Sequence, residues 1–307
     1  MALTSDQASP SRSWWRLSLP CPLDVEESLF WKLSELGVQR IAVQHQPETP
    51  ELKTLIAWLP SPDWPNGERE QLMESLRPLA ETFDACLGTP LWEEVADEDW
   101  SLSWKQHWQP DPVGEKLLIL PAWLEAPDEL VDRLVLRMDP GSAFGTGSHP
   151  TTRLCLEALE DNPPVGARVA DLGCGSGVLS LAAVALGAKQ VFAADTDSLA
   201  VRATAENAEL NGLQSSQLQV VEGSLESLRS ILDGTHVDLL LCNILAPVIE
   251  ELAPGFESLV SKGGQALLSG LLIEQAPHLI AILEGLGWRP QALEEQGRWG
   301  LMKIART

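Results

Sequence analysis

The chain has 307 residues, 44% of them hydrophobic, with 44 acidic against 21 basic side chains and a formal charge of −23. That length exceeds one typical domain and calls for two globular parts, while so acidic a chain repels phosphate backbones, which argues against nucleic acid as substrate and favours a basic partner. No apolar run reaches the roughly 18 residues that span a bilayer, and the five cysteines contain no C-x-x-C pair, so no metal cluster can be assembled from spacing.

Residues 1–12, rich in Ser, Pro and Gln, read as a disordered tail. They lack the basic region and apolar core of a secretory signal, so a cytoplasmic location is expected. Trp14–Leu19 reads as a strand, Leu23–Leu36 as an amphipathic helix, Val38–His45 and Leu52–Leu59 as strands, and Glu68–Phe83 as a second helix. This β-α-β-β-α order predicts a small ferredoxin-like α+β domain over residues 13–88. Residues 89–129 differ, with five of the chain's 12 tryptophans (Trp92, Trp100, Trp104, Trp108 and Trp123) among many acids. They are read as a connector that packs its indoles against folded parts.

Leu134–Met138 starts a second domain, residues 130–307, as a short strand. A Gly-rich stretch follows, Asp139-Pro-Gly-Ser-Ala-Phe-Gly-Thr-Gly-Ser-His-Pro-Thr-Thr152, and Thr151 or Thr152 opens a helix through Leu159. Val169–Gly177 reads as a strand running into a glycine turn, and Val178–Leu186 as a helix. The strand Gln190–Ala194 ends on Asp195, 18 residues after Gly177. Next come a helix (Leu199–Asn211), a strand (Gln217–Val221), a helix (Leu225–Leu232), the strand Val237–Asn243 and a closing strand pair at Arg289–Glu295 and Gly300–Ala305. Alternating β and α elements with a late hairpin predict a doubly wound α/β sheet, whose ligand sits at the carboxyl ends of the strands.

A carboxylate placed as Asp195 is can accept both hydroxyls of a ribose. A dinucleotide fingerprint needs G-x-G-x-x-G, but position 178 is Val, and no Lys-Ser or Lys-Thr follows to make a phosphate loop. The run Asp171-Leu-Gly-Cys-Gly-Ser-Gly177 instead resembles the first motif of class I methyltransferases, which bind S-adenosylmethionine (AdoMet). There the glycines would let backbone approach the methionyl part with no Cβ in the way. The plainer alternative is an ordinary turn in another α/β protein. Cys174, inside the run, is explained as a small side chain filling the turn.

Three stretches carry a closer resemblance: the Gly-rich segment from Asp139 to Thr152, the Asp171–Gly177 run, and Asn243-Ile-Leu-Ala246. With the acidic Trp stretch from Asp97 to Trp108, they look like the ribosomal protein L-eleven methyltransferase family. The match covers most of residues 90–307, and the N-terminal section matches in element order only. Ser142, where the family usually has an apolar residue, and Ser148, where Thr is common, depart from the pattern. The resemblance implies a seven-stranded class I sheet behind the ferredoxin-like domain. It implies AdoMet-dependent methylation of the α-amine and lysine ε-amines of a basic ribosomal protein, which the N-terminal domain grips. It places AdoMet contacts at Thr152, Gly173, Gly175, Asp195 and Asn243, and Phe144, Gly145, Gly147 and His149 in a loop over the site. A monomer is expected.

Methyl transfer to an amine is an in-line displacement that requires a neutral lone pair about 3 Å from the methyl group. A lysine of ordinary pKa about 10.4 must first lose its proton, and a desolvated site assists this. Asn243 offers an uncharged oxygen that can aim the amine without holding it as an ammonium; its alternative role is to cap the following helix. His149 is a candidate general base or an organiser of its own segment, Phe144 a cover for the ligand or a core residue. Asp139 would hold its segment through backbone hydrogen bonds, and Glu222 and Ser224 stand where adenine contacts usually lie. Two other functions fit the same residues. One is another protein or small-molecule N-methyltransferase on this fold. The other is a non-catalytic AdoMet-binding protein, which would have no use for Asn243 or the segment before Thr152.

Overall fold

The computed structural model describes residues 13–22, 25–38, 40–45, 52–82, 85–96, 108–139 and 147–307. The chain divides into two compact units between Gln109 and Pro110. The predicted tail at 1–12, Trp100, Trp104, Ser142, Phe144 and Gly145 lie outside the described residues.

The first unit is built from β1 (Ser13–Pro22), α1 (Glu26–Glu35), β2 (Arg40–His45), β3 (Leu52–Pro60), α2 (Asn66–Thr82) and β4 (Leu91–Ala96). The strands form one antiparallel sheet in the order β2-β3-β1-β4. That is the ferredoxin-like arrangement expected from the element order. Strand periodicity puts Leu17, Leu19 and Cys21 on one face of β1. They pack with Leu29 and Leu33 of α1 and Leu72 and Leu76 of α2. The Arg69 guanidinium lies 3.7 Å from the Trp15 ring centroid and 5.3 Å from that of Trp92. Trp14 and Trp108 pack on the Ala42–Ile56–Trp58 cluster.

One boundary is corrected. Residues 89–129 are not one connector, because 91–96 form β4, paired with β1 from Leu91 opposite Ser18 to Ala96 opposite Ser13. The paired acids Glu93 and Glu94 hide its two-residue alternation. Each has a partner across the sheet, Glu93 in an ion pair with Arg16 and Glu94 accepting from Ser13 Oγ.

The second unit starts with a three-stranded sheet, β5 (Asp111–Val113), β6 (Leu117–Pro121) and β7 (Leu134–Met138), in that order. Residues 111–121 of the supposed connector therefore belong here. Arg153 of α3 (Pro150–Asp161) forms an ion pair with Asp111 at 3.0 Å, and Glu160 accepts from the amides of Glu115 and Lys116. The main sheet comprises β8 (Arg168–Leu172), β9 (Gln190–Asp195), β10 (Leu218–Glu222), β11 (Val237–Asn243), β12 (Val260–Leu272), β13 (Trp288–Gln296) and β14 (Trp299–Arg306). Its order is β10-β9-β8-β11-β12-β14-β13, parallel through β12 and antiparallel at β14 and β13. This is the seven-stranded class I methyltransferase topology.

Both faces are covered, so the central strands are largely apolar, with Asp171 of β8 as a buried exception. One core joins the sheet to α3, α4 (Val178–Ala185) and α5 (Ser198–Leu210) through residues such as Leu159, Leu179 and Ala208. The other joins it to α6 (Leu225–Leu232), α7 (Ala246–Leu252) and α8 (Ala276–Gly285) through Leu228, Ile249 and Leu283. The order in which strands are added reverses between the parallel neighbours β8 and β11, the point at which such a sheet forms a crevice at the carboxyl ends of its strands. Among the described residues, no helix is long and apolar enough to cross a membrane.

Candidate functional site

The loop leaving β8 enters that crevice with three glycines in left-handed backbone: Gly173 at φ +77°, Gly175 at +55° and Gly177 at +83°. A Cβ on Gly173 would stand 2.4 Å from Ile244 Cγ2, so the position also has no room for one. The amides of Gly173 and Cys174 donate to Ala194 O at 2.8 and 3.1 Å, tying the loop to the end of β9. Asp195 closes that strand. Its Oδ2 accepts from the Gly175 amide at 2.9 Å and its Oδ1 from the Asp197 amide at 3.0 Å. A carboxylate has about four lone-pair sites, so it retains capacity to accept from a ligand hydroxyl beside these backbone bonds. Burial raises the Asp195 carboxyl above its ordinary value, against the backbone bonds from Asp197 and Gly175.

Asp171 adds a second buried carboxylate, to which the sequence alone assigns no role. It is 1% exposed, and Ser180 Oγ donates to its Oδ2 at 2.6 Å. Its Oδ1 is buried with no hydrogen-bond partner among the described residues. Burial pushes its pKa up to about 7, opposed by the Ser180 hydrogen bond and assisted by the charge of Asp195. Two desolvated carboxylates that repel each other make a region suited to a cation. The available signal was position, since Asp171 is the first residue of the glycine run.

On the far side of the loop, Asn243 ends β11. Its Nδ2 donates to Thr152 Oγ1 at 3.2 Å, so the oxygen is the end of the amide left to accept. Thr152 is buried, and α7 is capped by Leu245, so Asn243 is not its cap. Ile244 is gripped from both sides. Opposite Gly173, Gly270 takes φ +82° and its Cβ would lie 2.2 Å from Ile244 O.

His149 is the N-cap of α3, so that helix begins at Pro150, before the predicted Thr151 or Thr152. Its Nδ1 accepts from the Thr151 amide at 3.3 Å and lies 2.8 Å from Thr151 Oγ1. The ring stands edge-on to Trp299 with centroids 4.7 Å apart. An acceptor Nδ1 places the proton of a neutral ring on Nε2. Gly147 is at φ +92°, in the left-handed region, and a Cβ there would require the Ile119 Cδ1 methyl, 2.1 Å away, to move. The Asp139 amide donates to Asn207 Oδ1 of α5 at 2.9 Å, a bond made by its main chain to another element rather than by its carboxylate to its own segment.

Glu222 is exposed at the end of β10, and Ser224 occupies the N-cap position of α6 without a side-chain cap bond. Burial pushes the Cys155 thiol up to about 12 and raises Cys174 well above its ordinary value, so neither is a nucleophile. Cys174 Sγ lies 3.4 Å from Thr204 Oγ1, a packing role in the turn. Among the described residues no group of three His, Cys, Asp or Glu side chains is placed to hold a metal ion.

A family model described as ribosomal protein L11 methyltransferase (PrmA) matches residues 13–307. A protein of that name from Parasynechococcus marenigrum (strain WH8102) is 68% identical over 94% of this chain and 100% of its own length. Another from Synechococcus sp. (strain RCC307) is 59% identical over 98% of this chain and 99% of its own. The crystal structure of a ribosomal protein L11 methylase from Lactobacillus delbrueckii subsp. bulgaricus is similar at 33% identity and a TM-score of 0.58. It covers 65% of this chain and 99% of that one.

Proposed function

Because the chain belongs to the ribosomal protein L11 methyltransferase family, we propose that it transfers methyl groups from AdoMet to the N-terminal α-amine and lysine ε-amines of ribosomal protein L11. The observation that carries this reading is the convergence, at the ends of three neighbouring strands, of Asp195 on β9, the glycine loop after β8 and Asn243 on β11.

The residues present fit AdoMet. Asp195 supplies acceptors for the ribose hydroxyls, and Gly173 and Gly175 admit the methionyl part against bare backbone. The orphaned Oδ1 of Asp171 and the charge of Asp195 favour a ligand that carries positive charge on sulfonium and ammonium. The bound sulfonium supplies an activated methyl electrophile. Everything else falls to the protein. Thr152 fixes the donor end of the Asn243 amide, and the Asn243 oxygen accepts an N–H from the incoming amine and turns its lone pair toward the methyl group. An uncharged acceptor in a half-buried crevice favours the neutral amine over the ammonium, which a carboxylate would retain. His149 keeps α3, and Thr152 with it, in place.

Residues 13–88 serve in this reading to recognise the protein substrate, and the charge of −23 steers a basic partner toward the enzyme. The protein acts in the cytoplasm, as a monomer, with no metal and no nucleic-acid substrate. Incubation with methyl-labelled AdoMet and recombinant ribosomal protein L11, followed by peptide mass spectrometry, tests the proposal. Label on the N-terminal and lysine amines is expected; a wild-type enzyme that binds AdoMet but leaves L11 unlabelled refutes the substrate assignment.

A further inference from the structure

α5 turns a polar edge toward the core. Thr204, Asn207 and Asn211 are spaced by three and four residues and so share one helix face. Thr204 is 0% and Asn207 1% exposed. Burying such groups is costly unless every donor and acceptor is used, and here they are directed at two different segments. Thr204 Oγ1 donates to Gly175 O at 2.9 Å, inside the glycine loop. Asn211 accepts from the Arg137 amide at 2.9 Å and donates to Arg137 O at 2.7 Å, at the end of β7. Asn207 reaches both. Its Nδ2 donates to Ser176 O at 2.9 Å and its Oδ1 accepts from the Asp139 amide at 2.9 Å.

One carboxamide thus bridges the loop that would hold the methyl donor and the strand end from which the chain runs on to His149 and Thr152. Thr152 in turn is the partner of Asn243. Resting on the reading of this site as an AdoMet-dependent N-methyltransferase, we propose that Asn207 is a positioning residue for methyl transfer, setting the register between the donor side of the crevice and the Thr152–Asn243 side that aims the amine. It touches neither reactant. Its effect is on alignment, which governs the chemical step more steeply than it governs binding.

The test compares three variants of the full-length enzyme by AdoMet calorimetry and by kcat and KM on L11. Asn207→Ala should lower kcat at saturating AdoMet roughly ten-fold or more, while the AdoMet dissociation constant rises only about two- to three-fold. Thr204→Val loosens one side only and should show the opposite split, with a larger change in AdoMet affinity than in kcat. Asn207→Asp, close in size, still accepts from Asp139 but no longer donates to Ser176. It should follow Asn207→Ala, and it provides the test if the alanine variant does not fold. A folded Asn207 variant with wild-type kcat, or one whose whole loss lies in AdoMet affinity, overturns the proposal. Failure of the wild-type enzyme to bind AdoMet would instead overturn the functional reading, so the two are separable.

Discussion

Replacing Asp195 with alanine tests the ribose assignment and can be worked through from the geometry. The carboxylate holds the amides of Gly175 and Asp197 at 2.9 and 3.0 Å, so its removal unties the glycine loop as well as any ligand contact. Two backbone donors without acceptors at a partly buried site cost about 1–3 kcal/mol in all. At about 2–4 °C per kcal/mol for a domain of this size, the second unit should melt a few degrees lower yet stay folded at 25 °C. A charge-assisted hydrogen bond to a ribose hydroxyl is worth about 1.5–3 kcal/mol, so AdoMet affinity should fall roughly 10- to 100-fold. Asp195→Asn separates the two effects. It keeps an oxygen for the Gly175 amide and sheds a buried charge, so it should melt near the wild type while still losing about ten-fold in AdoMet affinity. Calorimetry with AdoMet and with adenosine is the assay, because adenosine carries the ribose and should lose affinity in parallel. Unchanged affinity for both ligands in a folded Asp195→Asn protein would refute the reasoning.

Asn243→Ala should lower kcat at saturating AdoMet far more than AdoMet affinity, and equal losses in steady-state kinetics and calorimetry would reduce the residue to a cofactor contact. The raised pKa of Asp171, about 7 in the fold against 3.8 ordinarily, means that its folded state prefers the proton. Its contribution to stability is therefore complete below about pH 4 and lost as pH rises through 7; denaturant titrations should show this decline in the wild type and its absence in Asp171→Asn, and parallel pH profiles would contradict it. A chain starting at Pro110, where the second unit begins, should bind AdoMet but lose most methylation of intact L11, because remote contacts bring the amine into place. If that chain methylates L11 as fast as the whole enzyme, recognition lies in the second unit.

The sequence was most legible where one period dominates. α6 and β11 occupy the residues expected, since Leu225, Leu228 and Leu232 keep one helical face and Leu239–Cys242 form a continuous apolar run. β4 was not legible because its alternation is interrupted by two glutamates whose partners, Arg16 and Ser13, lie some 80 residues earlier. Of the candidate site, Asp195 and Gly173 were picked out by local spacing and Asn243 by the family resemblance, whereas what Asp171, Asn207 and Gly270 touch depends on neighbours distant in the chain. An asparagine in a helix looks like a surface residue until the carbonyl it faces is known. Asn207 in α5 and Asn211 at its C-terminal cap, four residues apart, were the one trace of that buried edge.

The grip on Ile244 has an unequal consequence for how its surroundings can vary. At Gly173 the obstacle to a methyl group is the Ile244 side chain, so a smaller residue at 244 could make room, leaving only the conformational penalty of about 1–2 kcal/mol for a left-handed alanine. At Gly270 the obstacle is the peptide of residue 244 itself, with its oxygen, carbon and nitrogen at 2.2, 2.6 and 2.9 Å, and no choice of side chain there moves it away. As far as packing goes, a Cβ at 173 can be compensated by a smaller residue at 244, while 270 has no partner that could release it. Gly270 is therefore fixed by the backbone alone, whereas Gly173 is held by a neighbour's side chain and, in the proposed reading, by the ligand that its bare backbone admits.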